Sequence, residues 1–145
     1  MAQQSYKNHA KYYPLHHFIF YPVILAGMGI SLWYYVKYPH LHPVWLALAA
    51  IFFILGWLSY MLRQHYGLGN QNRIVRLEMR LRYYILTQQR FEALEQKLSF
   101  GQIAALRFAG DEELPALIKR ALDENLSPDA IKRSIANWQA DEMRV

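Results

Sequence analysis

Two long apolar runs occupy the first half of the chain. Residues 18–36 and 44–62 are 19 residues long each and contain no charged side chain. A helix of this length rises about 28 Å, close to the hydrocarbon thickness of a bilayer. Because soluble core helices are rarely apolar on every face over such a length, the pattern predicts two membrane-spanning helices. Gly27 and Ser31 form a small-xxx-small pair that lets another helix approach, either within the hairpin or from another chain.

The residues between the two runs, 37–42, predict a tight turn. Pro39 and Pro43 each disfavour helix in the preceding residue, and six residues is a normal length for a helix–helix connection. His40 and His42 offer two metal ligands, but a zinc site needs three or four, and no carboxylate is near. No small-residue cleavage motif follows the first run, so we predict a retained span rather than a signal peptide.

Basic residues are concentrated outside this connection. Lys7 and Lys11 precede the first run, whereas the connection holds only Lys37. Five arginines lie in the 20 residues that follow the second run: Arg63, Arg73, Arg76, Arg80 and Arg82. Because positive charge favours the cytoplasmic side of a membrane, we predict that both termini lie in the cytoplasm. Tyr and Trp residues at both ends of the runs are typical of the two bilayer interfaces.

Residues 67–98 predict a basic amphipathic helix. Gly67 and Gly69 weaken its start without ending it. One apolar stripe at helical spacing consists of Ile74, Leu77, Leu81, Tyr84 and Ile85. A second, nearly opposite stripe consists of Val75, Met79, Tyr83 and Leu86. One neighbour cannot cover two opposite faces, and two sources can supply the cover: the chain's own C-terminal helices and another subunit.

Arginines lie beside these stripes and complete a candidate contact surface. Near anionic headgroups a basic side chain contributes about 1 kcal/mol of membrane attraction. We predict that lipid headgroups or a partner are contacted by Arg73, Arg76, Arg80, Arg82, Ile74, Leu77 and Leu81. The alternative hypothesis for any single one of these arginines is that it is exposed to water and contacts neither lipid nor a partner.

Residues 99–145 predict a module of three short helices with clear start signals. Ser99 and Gln102 have the spacing of a capping box. Asp111 is predicted to cap the second helix, and Ser127 the third. The module has 47 residues, which is few for an independent core. We therefore expect it to pack on the long helix or on a partner.

Charge and composition exclude several classes of function. Residues 1–62, 63–98 and 99–145 have net charges of +3, +4 and −2 within the total of +5. The acidic tail beside the arginines argues against nucleic acid as a partner. The absence of cysteine from the sequence excludes disulfides, thiolate metal sites and cysteine nucleophiles. No nucleophile–base pair, glycine-rich phosphate loop or paired carboxylate motif stands out, so we predict that the protein is not an enzyme.

Histidines near the ends of the spans offer a candidate cofactor site. His17 and His65 lie at the same end of the two predicted spans, and helix bundles can hold haem between two histidines. The spans contain no histidine at mid-membrane depth, and histidines at headgroup level also occur without a cofactor. We predict no bound cofactor or metal, and a haem- or metal-binding membrane protein is the alternative function.

Three segments resemble a family of small bacterial membrane proteins of unknown function. They are YKNHAKYYPLHHF (6–18), GQIAALRFAGDEELPALIKRA (101–121) and LSPDAIKRSIANWQAD (126–141). The resemblance spans nearly the whole chain, and its middle segment is the most specific. It implies a two-span protein of the bacterial cytoplasmic (inner) membrane with a cytoplasmic helical tail. It implies no reaction, substrate or catalytic residue.

Together these patterns predict an all-α protein. Its N-terminal segment and transmembrane hairpin would span residues 1–66, its long amphipathic helix 67–98 and its small bundle of short helices 99–145. The predicted function is an integral membrane scaffold or accessory subunit. Its cytoplasmic helices would mediate homo-oligomerisation or bind a larger membrane complex, with the lipid bilayer as the other partner.

Overall fold

The computed structural model describes residues 4–9 and 13–141. Regular structure in these residues is helical, apart from one isolated antiparallel bridge between Ala109 and Trp138. This confirms the predicted all-helical class. The chain forms two compact units, a hairpin unit of Tyr12–Gly69 and a helical unit of Asn70–Val145 together with Met1–Lys11. The long amphipathic helix and the C-terminal helices, which were predicted as separate segments, thus belong to one unit.

The hairpin unit consists of two long helices. Helix α1 covers Tyr21–Lys37 and helix α2 covers His42–Met61, with a 3-10 turn at Pro39–Leu41 between them. A π-helical turn at Leu15–Phe20 precedes α1, and another at Leu62–Gly67 follows α2. Both long helices have the length and apolar composition needed to cross a membrane.

Small residues bring α1 and α2 together. A Cβ atom at Gly27 would collide with the ring of Phe52, so the missing side chain at Gly27 leaves room for this ring of α2. The hydroxyl of Ser31 donates to the carbonyl of Gly27 at 2.7 Å, which satisfies it inside the helix pair. The small-xxx-small pair therefore receives the second helix of the same hairpin. Ile24, Ser31 and Ala49 are the buried residues of the two helices.

The helical unit is built from one long helix and several short ones. Helix α3 covers Leu68–Thr87, and the short helices are α4 (Glu92–Glu95), α5 (Phe100–Leu106), α6 (Leu114–Asp123) and α7 (Pro128–Ser134). The long helix predicted over residues 67–98 ends at Thr87, and residues 92–95 form the separate helix α4, which is too short to give a periodic pattern of its own. Gly67 and Gly69 both have helical backbone, so neither of them ends the run of helical residues between α2 and α3.

Two of the predicted helix starts are confirmed. The Ser99 side chain accepts the backbone N–H of Gln102, and the Gln102 side chain accepts the backbone N–H of Ser99 at 2.8 Å, so the capping box is complete. The Ser127 hydroxyl accepts the N–H of Ala130 at 3.1 Å, with Pro128 in the first helical position. These interactions satisfy amide groups that have no partner within the first helical turn.

The prediction that Asp111 caps α6 is wrong. The helix begins three residues later, at Leu114, and the residue before it is Glu113. The Glu113 carboxylate accepts backbone N–H groups from Gly110, Ala136 and Asn137 at 3.2, 3.1 and 3.0 Å. It therefore joins the start of α6 to the segment after α7, whereas Asp111 pairs elsewhere.

A closed apolar core holds the helical unit together. It combines one face of α3 with side chains from all the following helices and from Phe91 and Leu98. The largest of its fully buried side chains are Met79, Phe91, Ile103, Leu106, Phe108, Leu114, Ile118 and Ile131. The C-terminal module thus shares its core with the long helix, as its small size required.

The N-terminal segment belongs to this unit as well. Tyr6 donates its hydroxyl hydrogen to Asp129 at 2.7 Å and accepts from Arg133 at 3.2 Å. The His9 ring lies about 6 Å from the rings of Phe108 and Trp138, centroid to centroid. Residues that precede the first apolar helix are therefore packed with residues that follow the second.

Candidate interaction surface

Helix α3 has two apolar faces in different environments. Val75, Met79 and Tyr83 are 3, 1 and 8% exposed and form part of the core. The opposite stripe remains uncovered in the described residues: Ile74, Leu77, Leu81, Tyr84 and Ile85 are between 49 and 61% exposed. The chain's own C-terminal helices thus cover one of the two stripes found in the sequence, apart from Leu86 at its end.

Arg76 and Arg80 form a clamp on a single buried carboxylate. Both guanidinium groups donate to Glu95, at 2.5 and 2.6 Å, and Glu95 is only 7% exposed. The hydrogen bond from Arg80 lowers the pKa of Glu95, and the one from Arg76 adds to this effect, although burial acts in the opposite direction. The carboxylate therefore stays charged at neutral pH and joins α3 to α4.

Arg82 is bound to the loop between α5 and α6. Its Nε donates to Asp111 at 2.6 Å, its Nη1 donates to the carbonyl of Arg107 at 3.0 Å, and its Nη2 donates to the carbonyl of Ala109. The two carbonyls follow the last turn of α5, where no amide within the helix can satisfy them. Arg107, in the same loop, pairs with Asp141 at 2.8 Å.

The predicted contact surface is therefore divided between the inside and the outside of the fold. Arg76, Arg80 and Arg82 have partners within the helical unit, whereas Arg73, Ile74, Leu77 and Leu81 are exposed. Contact of these residues with lipid headgroups or a partner stays a prediction. Glu95 was not predicted as a site residue, although it is one of only three acidic residues in the arginine-rich segment 63–98.

The exposed stripe is the apolar surface of the helical unit. In the described part of this unit, every exposed large apolar side chain lies on α3: Ile74, Leu77, Leu81, Tyr84, Ile85 and Leu86. Arg73 and Glu78, both exposed, stand on either side of the stripe. A contiguous apolar strip with a charged rim is typical of a surface that binds another macromolecule or a membrane.

An open cleft beside α3 is a weaker candidate for a binding site. It has a volume of about 550 Å³ and lies between α3, the α5–α6 loop and residues 139–141. Its charged lining includes Arg82, Arg107, Asp111 and Asp141, which form two ion pairs with one another. Because these four charges neutralise each other in pairs, the cleft shows no preference for a positively or a negatively charged ligand.

The two candidate cofactor histidines lie in the π-helical turns at the ends of the hairpin unit. His17 Nδ1 is 3.0 Å from the carbonyl oxygen of Tyr13, and the centroids of the His17 and His16 rings are 5.5 Å apart. His65 is exposed, in the turn after α2. In the described chain no group of three or more His, Asp or Glu side chains is arranged to hold a metal ion. Haem or metal binding at His17 and His65 stays the alternative hypothesis.

Comparisons with known proteins give one match. Neither the curated proteins nor the solved structures contain a significant match to this chain. A protein-family model described as "Family of unknown function (DUF6526)" matches residues 1–145. The match covers the whole chain and agrees with the expectation of a family without an assigned activity. The protein belongs to the family of unknown function DUF6526.

Proposed function

We propose that this protein is an integral membrane scaffold or accessory subunit. The hairpin unit anchors it in a bacterial cytoplasmic membrane, both termini lie in the cytoplasm, and the helical unit presents a surface for oligomerisation or partner binding. The observation that carries this proposal is the exposed stripe of α3, which the unit's own core leaves uncovered.

Burial in the hairpin unit supports the membrane anchor. In the most apolar windows of the two long helices, 11% and 6% of the residues are buried. A core helix of a soluble protein would be mostly buried, because exposed apolar surface costs about 25 cal/mol per Å² in water. A bilayer removes this cost for the whole hairpin surface.

Two further features support the arrangement of the termini. The N-terminal segment packs with the C-terminal helices in one unit, through Tyr6 and His9. A chain that crosses a membrane twice has both of its ends on the same side. Packing of the N-terminal segment with the C-terminal helices requires this arrangement. The basic residues outside the α1–α2 connection favour the cytoplasm for that side. The bacterial assignment rests on the resemblance of the three segments to small bacterial membrane proteins.

The test is the mass of the native assembly. The full-length protein would be extracted with mild detergent from its own membranes and measured by native mass spectrometry. We expect a multimer or a complex with another polypeptide. Leu77→Lys/Leu81→Lys, which places two charges in the stripe, should release the monomer. Ala116→Lys, on the exposed side of α6, is the matched control.

Two results would contradict the scaffold function. One is a bare monomer for the unmodified protein. The other is a complex that survives the double lysine substitution unchanged, because the exposed stripe would then take no part in assembly. An additional mass equal to haem or to a stoichiometric metal would instead favour the alternative function at His17 and His65.

A further inference from the structure

The exposed stripe of α3 has the spacing of a coiled-coil seam. Ile74 and Leu81 are seven residues apart, as are Leu77 and Tyr84, and the two pairs interleave at steps of three and four. These are the a and d positions of a heptad, with Asn70 at the preceding d position. The four apolar side chains are 54, 61, 59 and 49% exposed, in the order named, so the seam is free to accept another helix.

The rest of the helix leaves this seam accessible. In the same heptad register Val75 occupies a b position, Met79 an f position and Tyr83 a c position, and all three are buried in the unit's own core. Positions b, c and f face away from the a/d seam. The short helices therefore cover the back of α3, and a second helix can pack on its front without displacing them.

Charges beside the seam select the partner and its direction. Arg73 occupies position g and Glu78 occupies position e of the next heptad, and both are exposed. In a parallel two-stranded coiled coil, g of one helix contacts e of the following heptad in the other helix. In an antiparallel pair g faces g, so Arg73 and Arg80 would approach arginines of the other chain, which is unfavourable.

We propose that α3 pairs with α3 of a second copy of this chain as a parallel two-stranded coiled coil. Arg73 of each copy contacts Glu78 of the other, and the a and d side chains pack between the helices. The inference rests on the proposed scaffold function and names its partner. Ile74 at a and Leu77 at d are the residue types that favour two strands in such a pair.

The membrane anchor explains how so short a seam can pair. Two heptads are fewer than a free coiled coil usually needs. Two copies anchored in one bilayer meet at a high effective concentration, which lowers the entropic cost of association. The anchor also favours the parallel arrangement, because only six residues separate α3 from α2. In the proposed topology, the α3 helices of both copies therefore start from the same side of the membrane.

Cysteine cross-linking in native membranes tests this pairing. The chain contains no cysteine, so Leu77→Cys provides a single reactive thiol at a d position, where parallel helices place equivalent residues face to face. We expect a disulfide-linked dimer on oxidation with copper phenanthroline. Ala116→Cys is the control for random collisions, because it is also exposed but lies on α6.

Charge reversal then separates this seam from other contacts. In the Leu77→Cys protein, Arg73→Glu or Glu78→Arg alone should lower the dimer yield at least about fivefold, because two ion pairs become repulsive. The combined reversal Arg73→Glu/Glu78→Arg restores opposite charges and should restore the yield. Recovery in the combined variant supports the parallel pairing, since a defect in folding would not be repaired by a second substitution.

Other occupants of the seam give different products. A Leu77→Cys yield no higher than that of Ala116→Cys, or charge reversals without effect, would overturn the inference. A Leu77→Cys product with a different polypeptide would also overturn it but leave the scaffold function intact. A monomer whose Leu77→Cys thiol is shielded by lipid from a water-soluble maleimide would overturn the inference too. A monomeric native mass of the unmodified protein would contradict both the inference and the proposed scaffold function.

Discussion

The hairpin unit and the helical unit place their apolar side chains in opposite ways. In α1 and α2 the buried residues are few, and large apolar side chains such as Leu25, Ile51 and Phe53 are more than half exposed. In the helical unit the large apolar side chains are enclosed, except on α3. Equal exposure therefore supports a different proposal in each unit: contact with lipid for the hairpin, and contact with a partner for α3.

The strongest test of this comparison introduces charge at equally exposed apolar positions of both units. Ile51→Lys/Ile54→Lys should release the protein from membranes under alkaline carbonate extraction, because each lysine at mid-bilayer costs about 3 kcal/mol. Ile74→Lys/Leu77→Lys on α3 should leave the protein in the membrane pellet. Equal retention of both variants would contradict the lipid environment proposed for the hairpin unit.

A smaller effect separates the two faces of α3. Met79→Ala should lower the free energy of unfolding by about 2–4 kcal/mol, because the side chain is 1% exposed and its removal leaves a cavity. Leu77→Ala, at 59% exposure, should change it by less than about 0.5 kcal/mol in dilute detergent solution. Urea denaturation of the full-length protein measures both, and similar losses would mean that the two faces are equally buried.

The clamp around Glu95 should make the helical unit sensitive to acid. Its pKa is lower in the folded state than in the unfolded state, so the ion pairs stabilise the fold above the ordinary glutamate pKa of about 4.3. This contribution is lost as the pH falls through the lowered pKa.

Glu95→Gln should therefore lower the free energy of unfolding by about 1–2 kcal/mol at pH 7, because the partial exposure of the two arginines weakens the ion pairs. The variant should also lose less stability than the unmodified protein between pH 6 and pH 3. Thermal unfolding across this range provides the measurement, with the exposed Glu112→Gln as the control. An unchanged acid profile in Glu95→Gln would show that other carboxylates control it.

The smallest effect concerns the N-terminal segment. Tyr6→Phe removes the hydroxyl that joins this segment to Asp129 and Arg133. It should lower the free energy of unfolding by about 0.5–1 kcal/mol. The loss is limited because Asp129 and Arg133 also pair with each other at 3.0 Å. Hydrogen exchange of α7 amides should rise in Tyr6→Phe but not in Tyr13→Phe, whose side chain is 59% exposed. Equal exchange in the two variants would rule out a stabilising contact at Tyr6.

Local signals in the sequence were sufficient for most of the helices. The two apolar runs, the capping box at Ser99 and Gln102 and the cap at Ser127 were all found from spacing alone, because each depends on residues within one or two helical turns. The two stripes of α3 were visible for the same reason. The start of α6 was missed, because Asp111 has the right residue type for a cap but is drawn away by Arg82, which lies 29 residues earlier.

Periodicity fixed which residues of α3 share a face, but not which face would be covered. Both stripes are apolar and similar in length, so their hydrophobic free energies alone give no preference. The choice depends on contacts distant in sequence: the Glu95 clamp on Arg76 and Arg80, and the carbonyls after α5 that bind Arg82. These bonds turn Met79 inward and leave Leu77 outside, and a residue pattern read along one helix contains no information about partners that only folding brings near.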